Sequence, residues 1–368
     1  MQMNGNRELS LYFHLPFCTK KCHYCHFFVL PDKEELKQQL SYGLKKEWDA
    51  RKQSIEQHNL VSIYFGGGTP YLYGAEEIDA ILQRASPNST VEITLEANPE
   101  NMDENTLRSY FDIGINRLSI GVQSFSDPLL NKLTRTHSAK KAIDSILLAE
   151  EIGFQNISID LMYEIPYQTF DDWKASLDVA ASLPISHLSL YNLTIEPHTQ
   201  YYKRKEELAK NLPDNETGTE MYLEAIRSME TAGLKQYEIS AFAKEGCQSL
   251  HNSGYWKGRD FLGFGPSAFS YFNNKRFRNI ANLSKYCTLD NPVDFVDELN
   301  QEERLRELFV IHLRLREGVS LNQKNCPKDL YKTLERLSHE GFVTLAPNHA
   351  KLTQKGMLFY DTVASELI

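Results

Sequence analysis

Six short runs of apolar and β-branched residues recur through roughly the first 200 residues, and most are followed by a helical pattern. They are Leu9–His14, Val61–Phe65, Val91–Leu95, Arg117–Gly121, Ile157–Leu161 and His187–Tyr191. Strand-then-helix repetition leaves few arrangements, because parallel strands need helical crossovers that cover the sheet. The pattern predicts an α/β fold, a parallel sheet curled into a partial barrel of six units. A closed barrel would need two more units, and none is visible before residue 240. The best-defined helix is predicted over Ser138 to Ile152, with Ser138 as N-cap, an apolar stripe at Ala139, Ala142, Ile143, Ile146 and Leu147, and Gly153 as the stop.

The unusual residues fall where a parallel barrel gathers its chemistry, at the carboxyl ends of the strands. Cys18, Cys22 and Cys25 follow the first run, and Gly66-Gly67-Gly68-Thr69-Pro70 follows the second. Glu96, Gln123 and Asp160 close the third, fourth and fifth. Three cysteines spaced by three residues and then two wrap a short loop around a cuboidal iron–sulfur cluster. They supply three thiolates for four irons, so one iron stays open to bind a small molecule. Packed free thiols do not account for three cysteines within eight residues. Disulfides fit poorly with an odd local count. Zinc is the rival, with His14, His23 or His26 as a fourth ligand, but Cys247, Cys287 and Cys326 stand alone and supply no second ligand pair.

The 368 residues carry a formal charge of -9, and 41% are hydrophobic. That suffices for one large domain and a smaller one, and the acidic balance argues against nucleic acid as a partner. No apolar run approaches the roughly 20 residues that span a bilayer. The opening residues hold no apolar targeting segment, which predicts a cytoplasmic protein. Three regions are expected: a barrel over 1–240, an irregular linker region over 241–300, and a mainly helical, winged-helix-like cap over 301–368. In the cap, a helix from Lys328 to Glu340 precedes a hairpin turning at Pro347-Asn348, and a last helix follows Gly356. Ten basic against nine acidic residues over 301–368 favour a packed cap over a DNA reader.

The cysteine loop and the glycine triplet together resemble the radical S-adenosylmethionine (SAM) superfamily. That resemblance implies a 4Fe–4S cluster whose open iron chelates SAM, and whose electron cleaves SAM to a 5′-deoxyadenosyl radical. Tyr12-Phe13-His14-Leu15-Pro16-Phe17-Cys18, Gly66 to Pro70, Ile120 to Phe125, Asp160-Leu161-Met162-Tyr163 and Leu190 to Pro197 look like the oxygen-independent coproporphyrinogen III dehydrogenase (HemN) family. By that similarity Tyr12, Tyr24, Gly67, Gly68, Thr69, Glu96, Gln123, Arg135 and Asp160 line the SAM site. Tyr24 would stack on adenine, Glu96 and Asp160 would accept from ribose hydroxyls or the ammonium, and Arg135 would pair with a carboxylate.

Two features point to the heme-chaperone branch, HemW: Phe27 stands where the dehydrogenase has an extra cysteine, and only 17 residues precede Cys18. His251-Asn252-Ser253-Gly254-Tyr255-Trp256 fits that branch's HNxxYW signature. The resemblance implies heme as a ligand, with His251 as the candidate axial ligand and Tyr255 and Trp256 as flanking aromatic faces. It also implies a heme-acceptor protein, cytoplasmic or membrane-facing, and a monomer or a cluster-dependent dimer. The alternative is an active dehydrogenase that decarboxylates coproporphyrinogen III. This chain departs from the family pattern at His26 (usually Asp), at Glu164 (usually Gly), and at Ser267-Ala268-Phe269 (usually Gly-Ala-His).

Overall fold

In the computed structural model, which describes residues 7–321 and 329–368, one sheet of twelve strands organises the chain. The start predicted at Lys328, the solitary Cys326 and the first six residues lie outside the described residues. The strands are β1 (Glu8–Leu15), β2 (Phe17–Cys18), β3 (Leu30–Pro31), β4 (Asn59–Gly67), β5 (Glu92–Ala97), β6 (Arg117–Gln123), β7 (Ile157–Tyr163) and β8 (His187–Asn192). They continue as β9 (Lys235–Glu238), β10 (Ala241–Ala243), β11 (Asp260–Phe264), β12 (Phe269–Phe272), β13 (Lys275–Asn279) and β14 (Val293–Glu298). The large sheet runs β14-β13-β12-β11-β1-β4-β5-β6-β7-β8-β10-β9. Every predicted strand is present, and β1, β4, β5, β6, β7 and β8 pair in parallel, as six strand–helix units require.

A seventh parallel strand was not foreseen. β11 pairs with β1, Leu11 opposite Leu262, and brings β12, β13 and β14 as an antiparallel extension. Residues 241–300 are therefore not irregular: they hold five strands, whole or nearly so, and the helices Leu250–Trp256 and Leu283–Thr288. The misreading has a local cause. These strands are short, and Asn273 and Asn274 look like loop residues. Both have positive φ (52° and 66°), the conformation of a tight two-residue hairpin turn between β12 and β13.

Alternation along the strands separates two environments. Leu9, Leu11, Phe13 and Leu15 of β1, with Ile63, Phe65, Ile93, Leu95, Leu118 and Ile120, are buried in the main apolar core with residues of the covering helices. The intervening residues turn inward and are polar: Ser10 pairs with Ser62, Ser62 with Glu92, Thr94 with Arg117, Ser158 with His187, and Asp160 with Ser189. The helix Ala139–Ile152 has the predicted N-cap, Ser138 accepting from the Lys141 N–H, and Gly153 ends it with φ 121°. Its buried face is Ala142, Ser145, Ile146, Ala149 and Ile152, so Leu147 from the predicted stripe is exposed.

The C-terminal region has its own apolar core, from Phe309 to Leu367. There β15 (Val319–Ser320), β16 (Val343–Ala346) and β17 (His349–Leu352) form a three-stranded sheet in the order β15-β17-β16. The predicted last helix starts earlier, at Gln354, because Thr353 caps it through the Gly356 N–H, and a second helix, Tyr360–Leu367, follows.

Candidate SAM and cluster site

The cysteine loop leaves the top of β1 and is fixed at both sides before any ligand is considered. The Leu30 N–H bonds to Pro16 O and the Asp32 N–H to Cys18 O, closing the loop with the β2–β3 pair. Across the mouth, the His23 N–H donates to Thr134 Oγ1 at 3.0 Å, and the Tyr201 N–H donates to His23 O at 3.0 Å. Tyr24 packs on a small cluster that includes Leu129, Leu133, Met162 and Tyr201. The three thiols share a cavity of about 390 Å³ with Tyr24, Gly67, Gly68, Thr69, Glu96, Gln123, Arg135 and Asp160. Residues predicted from six separate segments thus meet at the carboxyl ends of the parallel strands.

Gly68 answers why the triplet is glycine. A Cβ there would lie 2.6 Å from Pro16 C and 2.7 Å from Phe17 O, inside the backbone of the cysteine loop. At Gly67, φ is 114° and a Cβ would meet the His14 ring at 2.5 Å. The loop and the triplet therefore need each other to fit.

The polar side chains link the thiols into one network. Cys18 Sγ lies 3.7 Å from Thr69 Oγ1, which accepts from Asn98 Nδ2 at 2.7 Å. Asn98 Oδ1 accepts from Arg135, whose Nη1 points at Cys22 Sγ (3.7 Å) and whose Nη2 reaches Gly121 O (2.8 Å). Glu100 holds Arg135 from behind at 3.8 Å and bonds His137 Nδ1 at 3.0 Å. Arg135 was expected to face a ligand carboxylate; its near neighbour here is a cluster-loop thiol, so a guanidinium stands by where thiolate charge would gather. Burial pushes the Cys18 thiol up to about 11 and raises the Cys25 thiol too, and the Arg135 guanidinium nearby works against both shifts. Gln123 sits in the left-handed region at φ 68°, where the β6–β7 register breaks.

Asn98 and Glu100 were missed. Their only sequence signal was adjacency to the end of a strand, in Glu96-Ala97-Asn98-Pro99.

Two carboxyls face the same space. Glu96 accepts from Tyr64 Oη at 2.8 Å and from the Gly67 N–H at 3.1 Å, and burial pushes it up to about 7. Asp160 accepts from Ser119 Oγ at 3.4 Å, and burial pushes it up to about 6. Desolvated carboxyls of this kind favour a cationic ligand, which would restore their charge. In the free protein, Glu96 keeps its proton between its ordinary 4.5 and about 7 while the unfolded chain has lost it. The native state then binds more protons, so stability falls as pH rises through that window, by at most about 3.4 kcal/mol. Urea unfolding at pH 5 and pH 7.5 is expected to show that loss, and Glu96→Gln is expected to remove the Glu96 share while leaving the smaller loss due to Asp160.

Two predicted residues lie apart from the mouth cavity. Tyr12 Oη bonds His14 Nδ1 at 3.0 Å, and His14 Nε2 bonds Phe28 O at 2.9 Å. With both ring nitrogens engaged, His14 offers nothing to zinc. Among the described residues, no three His, Cys, Asp or Glu side chains converge on one metal ion, whereas a cuboidal cluster places each thiolate on its own iron. The donor set, three thiols beside a glycine cradle, fits the cluster.

His251 does not line the mouth cavity. Its ring is 1% exposed, with Nδ1 2.9 Å from Ser62 Oγ and Nε2 2.8 Å from Tyr255 Oη. Burial pushes it down to about 3, and both ring nitrogens are hydrogen-bonded. It is a neutral strut at the amino ends of β1 and β4.

Two departures from the family pattern have a backbone consequence. Glu164 (φ 57°) and Ser267 (φ 68°) both occupy the left-handed region, where glycine is the unstrained choice. Glu164 bonds Asn192 and lies over Gly218, where a Cβ would collide with its carboxylate.

Comparison with known proteins agrees with this geometry. Residues 12–180 match the Radical SAM superfamily and residues 299–359 the HemN C-terminal domain. The chain is 34% identical to heme chaperone HemW of Bacillus subtilis (strain 168), over 96% of this chain and 97% of that one. It is 38% identical to heme chaperone HemW of Haemophilus influenzae, over 71% and 69% of the two chains. Among solved structures, coproporphyrinogen III oxidase (HemN) from Escherichia coli superposes with a TM-score of 0.85, at 23% identity, over 98% of this chain and 90% of that one. At that identity the likeness speaks for the fold.

Proposed function

We propose a function from one premise, that this chain belongs to the HemW family of the radical SAM superfamily: it is a heme chaperone, binding heme and transferring it to an acceptor protein. The observation that carries this reading is the end-to-end match to a named heme chaperone. Phe27, 52% exposed in the wall of the mouth, supports it, because the dehydrogenase branch that the motifs resemble carries a cysteine at that place.

The cluster, when bound with SAM, supplies one-electron chemistry at its open iron. Cys18, Cys22 and Cys25 would hold the cluster through their thiolates. Arg135 stabilises the thiolate charge, and Thr69 and Asn98 fix the rotamers between Cys18 and Arg135. Gly67 and Gly68 let main-chain groups approach SAM, Glu96 and Asp160 take its cationic groups or ribose hydroxyls, Gln123 lines the same wall, and Tyr24 offers a face to adenine. Tyr12 acts through His14, which buttresses Gly67.

We place the chaperone in the cytoplasm, as a monomer or a cluster-dependent dimer, delivering heme to a membrane-associated acceptor. No helix among the described residues is long and apolar enough to cross a membrane.

The test is transfer. Protein reconstituted anaerobically and loaded with ferric heme is mixed with apomyoglobin, and the holoprotein is followed by absorbance. Transfer faster than from free buffer-borne heme aggregates supports the reading. Failure to take up heme, or retention of all of it, contradicts it.

A further inference from the structure

Glu164 stands where the family pattern has glycine, and the fold holds it there from two sides. Its φ of 57° lies in the left-handed region, which a side chain keeps only where its surroundings over-determine it. On one side the helix Asn215–Thr231 carries Gly218, where a Cβ would lie 1.7 Å from Glu164 Oε1. Only glycine at 218 leaves room for that oxygen. On the other side Glu164 Oε2 accepts from Asn192 Nδ2 at the end of β8. Burial raises the Glu164 carboxyl, and the Asn192 amide works against that shift.

Asn192 lines the mouth cavity and Glu164 does not, so the amide stands between the carboxylate and the ligand space. A side-chain amide has a donor end and an acceptor end, and only its neighbours decide which end faces a ligand. An ionised carboxylate only accepts. Glu164 therefore holds the Nδ2 end and leaves Oδ1 for the mouth. Among the described residues, Oδ1 accepts only a long bond from Thr194 Oγ1, at 3.4 Å, and Thr194 lines the mouth as well. The wall thus offers an oriented acceptor that has capacity to spare.

SAM carries three kinds of hydrogen-bond donor: the ammonium, the ribose hydroxyls and the adenine amine. Glu96 and Asp160 suit the first two, which leaves the amine without an acceptor. Tyr24, whose ring offers a face to adenine, packs on the same small apolar cluster as Leu193, the residue after Asn192. We propose that Asn192 Oδ1 accepts from the adenine amine and that Glu164 is the positioning residue that keeps the amide turned that way; the assignment rests on the SAM reading of the mouth. The pair then makes the site selective for a 6-amino purine. A 6-oxo purine would set its own oxygen against Oδ1, two acceptors with no proton between them. With glycine at 164, the usual residue of the family, the amide would lose this hold and could present either end.

The test is equilibrium dialysis of the full, anaerobically reconstituted protein against SAM and against S-inosylmethionine, its 6-oxo analogue. The wild type is expected to prefer SAM at least about tenfold. Asn192→Leu is expected to bring that preference close to one. Glu164→Gln keeps the size of the side chain but can face either end of the amide, so the preference should fall while SAM still binds. Gly218→Ala drives the carboxylate from its place and should act in the same way. Combined with Glu164→Gly, which removes the clash, it should restore stability to urea without restoring the preference, which separates the hold on Asn192 from a merely structural role. Iron and sulfide content should stay the same throughout. Equal affinity of the wild type for the two compounds, or an unchanged preference in Asn192→Leu and Glu164→Gln, would overturn the assignment and leave the SAM reading in place. No SAM binding by the wild type would overturn both.

Discussion

Cys22→Ala is expected to abolish stable cluster assembly, and with it SAM binding, while leaving the barrel folded. Cys22 is the middle ligand of the loop and the thiol that Arg135 faces. Two cysteines cannot complete the three-thiolate set that leaves a single open iron. The loop itself depends on backbone bonds to Pro16, Thr134 and Tyr201 rather than on the thiols. Iron and sulfide analysis after reconstitution should therefore fall from near four of each to near background, with circular dichroism unchanged. A variant that kept a full cluster would show that the loop is not its cradle.

Glu47→Ala is expected to cost about 3–5 kcal/mol of stability, the loss that follows when one partner of a buried charged network is removed. Glu47 sits on the first long helix, Glu34–Glu56, and is 6% exposed. Its carboxylate accepts from Arg51 at 2.7 Å, Asn279 Nδ2 at 2.7 Å, the Gly265 N–H at 3.0 Å, and Tyr286 Oη. Those partners come from the loop after β11, the end of β13 and the helix Leu283–Thr288. One carboxylate thus pins the late-sequence extension to the early barrel. Alanine would strand the Arg51 guanidinium between the Phe264 and Phe277 rings with no counter-charge. Glu47→Gln keeps most of the geometry and should cost less. Urea unfolding of the two variants measures both, and equal stability of wild type and Glu47→Ala would refute the network's importance.

What was legible in the sequence was local. Leu9-Ser10-Leu11-Tyr12-Phe13-His14 announces a strand by its alternation, and three closely spaced cysteines announce a cluster by their chemistry. The convergence of Glu96, Gln123 and Asp160 followed from one rule about strand ends. What was hidden depends on long-range pairing. Glu47 meets Tyr286 across 239 residues, and β11 finds β1 across about 250, with no local signal at either end. Arg135 could be named, but its hold on Asn98 and Cys22 could not. His251 was marked by a motif, but its surroundings, Ser62 beneath and Tyr255 above, were not legible.

In a heme carrier, the cluster and SAM mouth should not turn over coproporphyrinogen III. Product analysis tests it most directly. Anaerobically reconstituted protein, its 4Fe–4S cluster verified by spectroscopy, is given coproporphyrinogen III, SAM and a reductant, and protoporphyrinogen IX is followed over time. The account predicts an intact cluster and no multiple turnover. Steady conversion over many cycles would contradict it and make this chain a dehydrogenase despite Phe27.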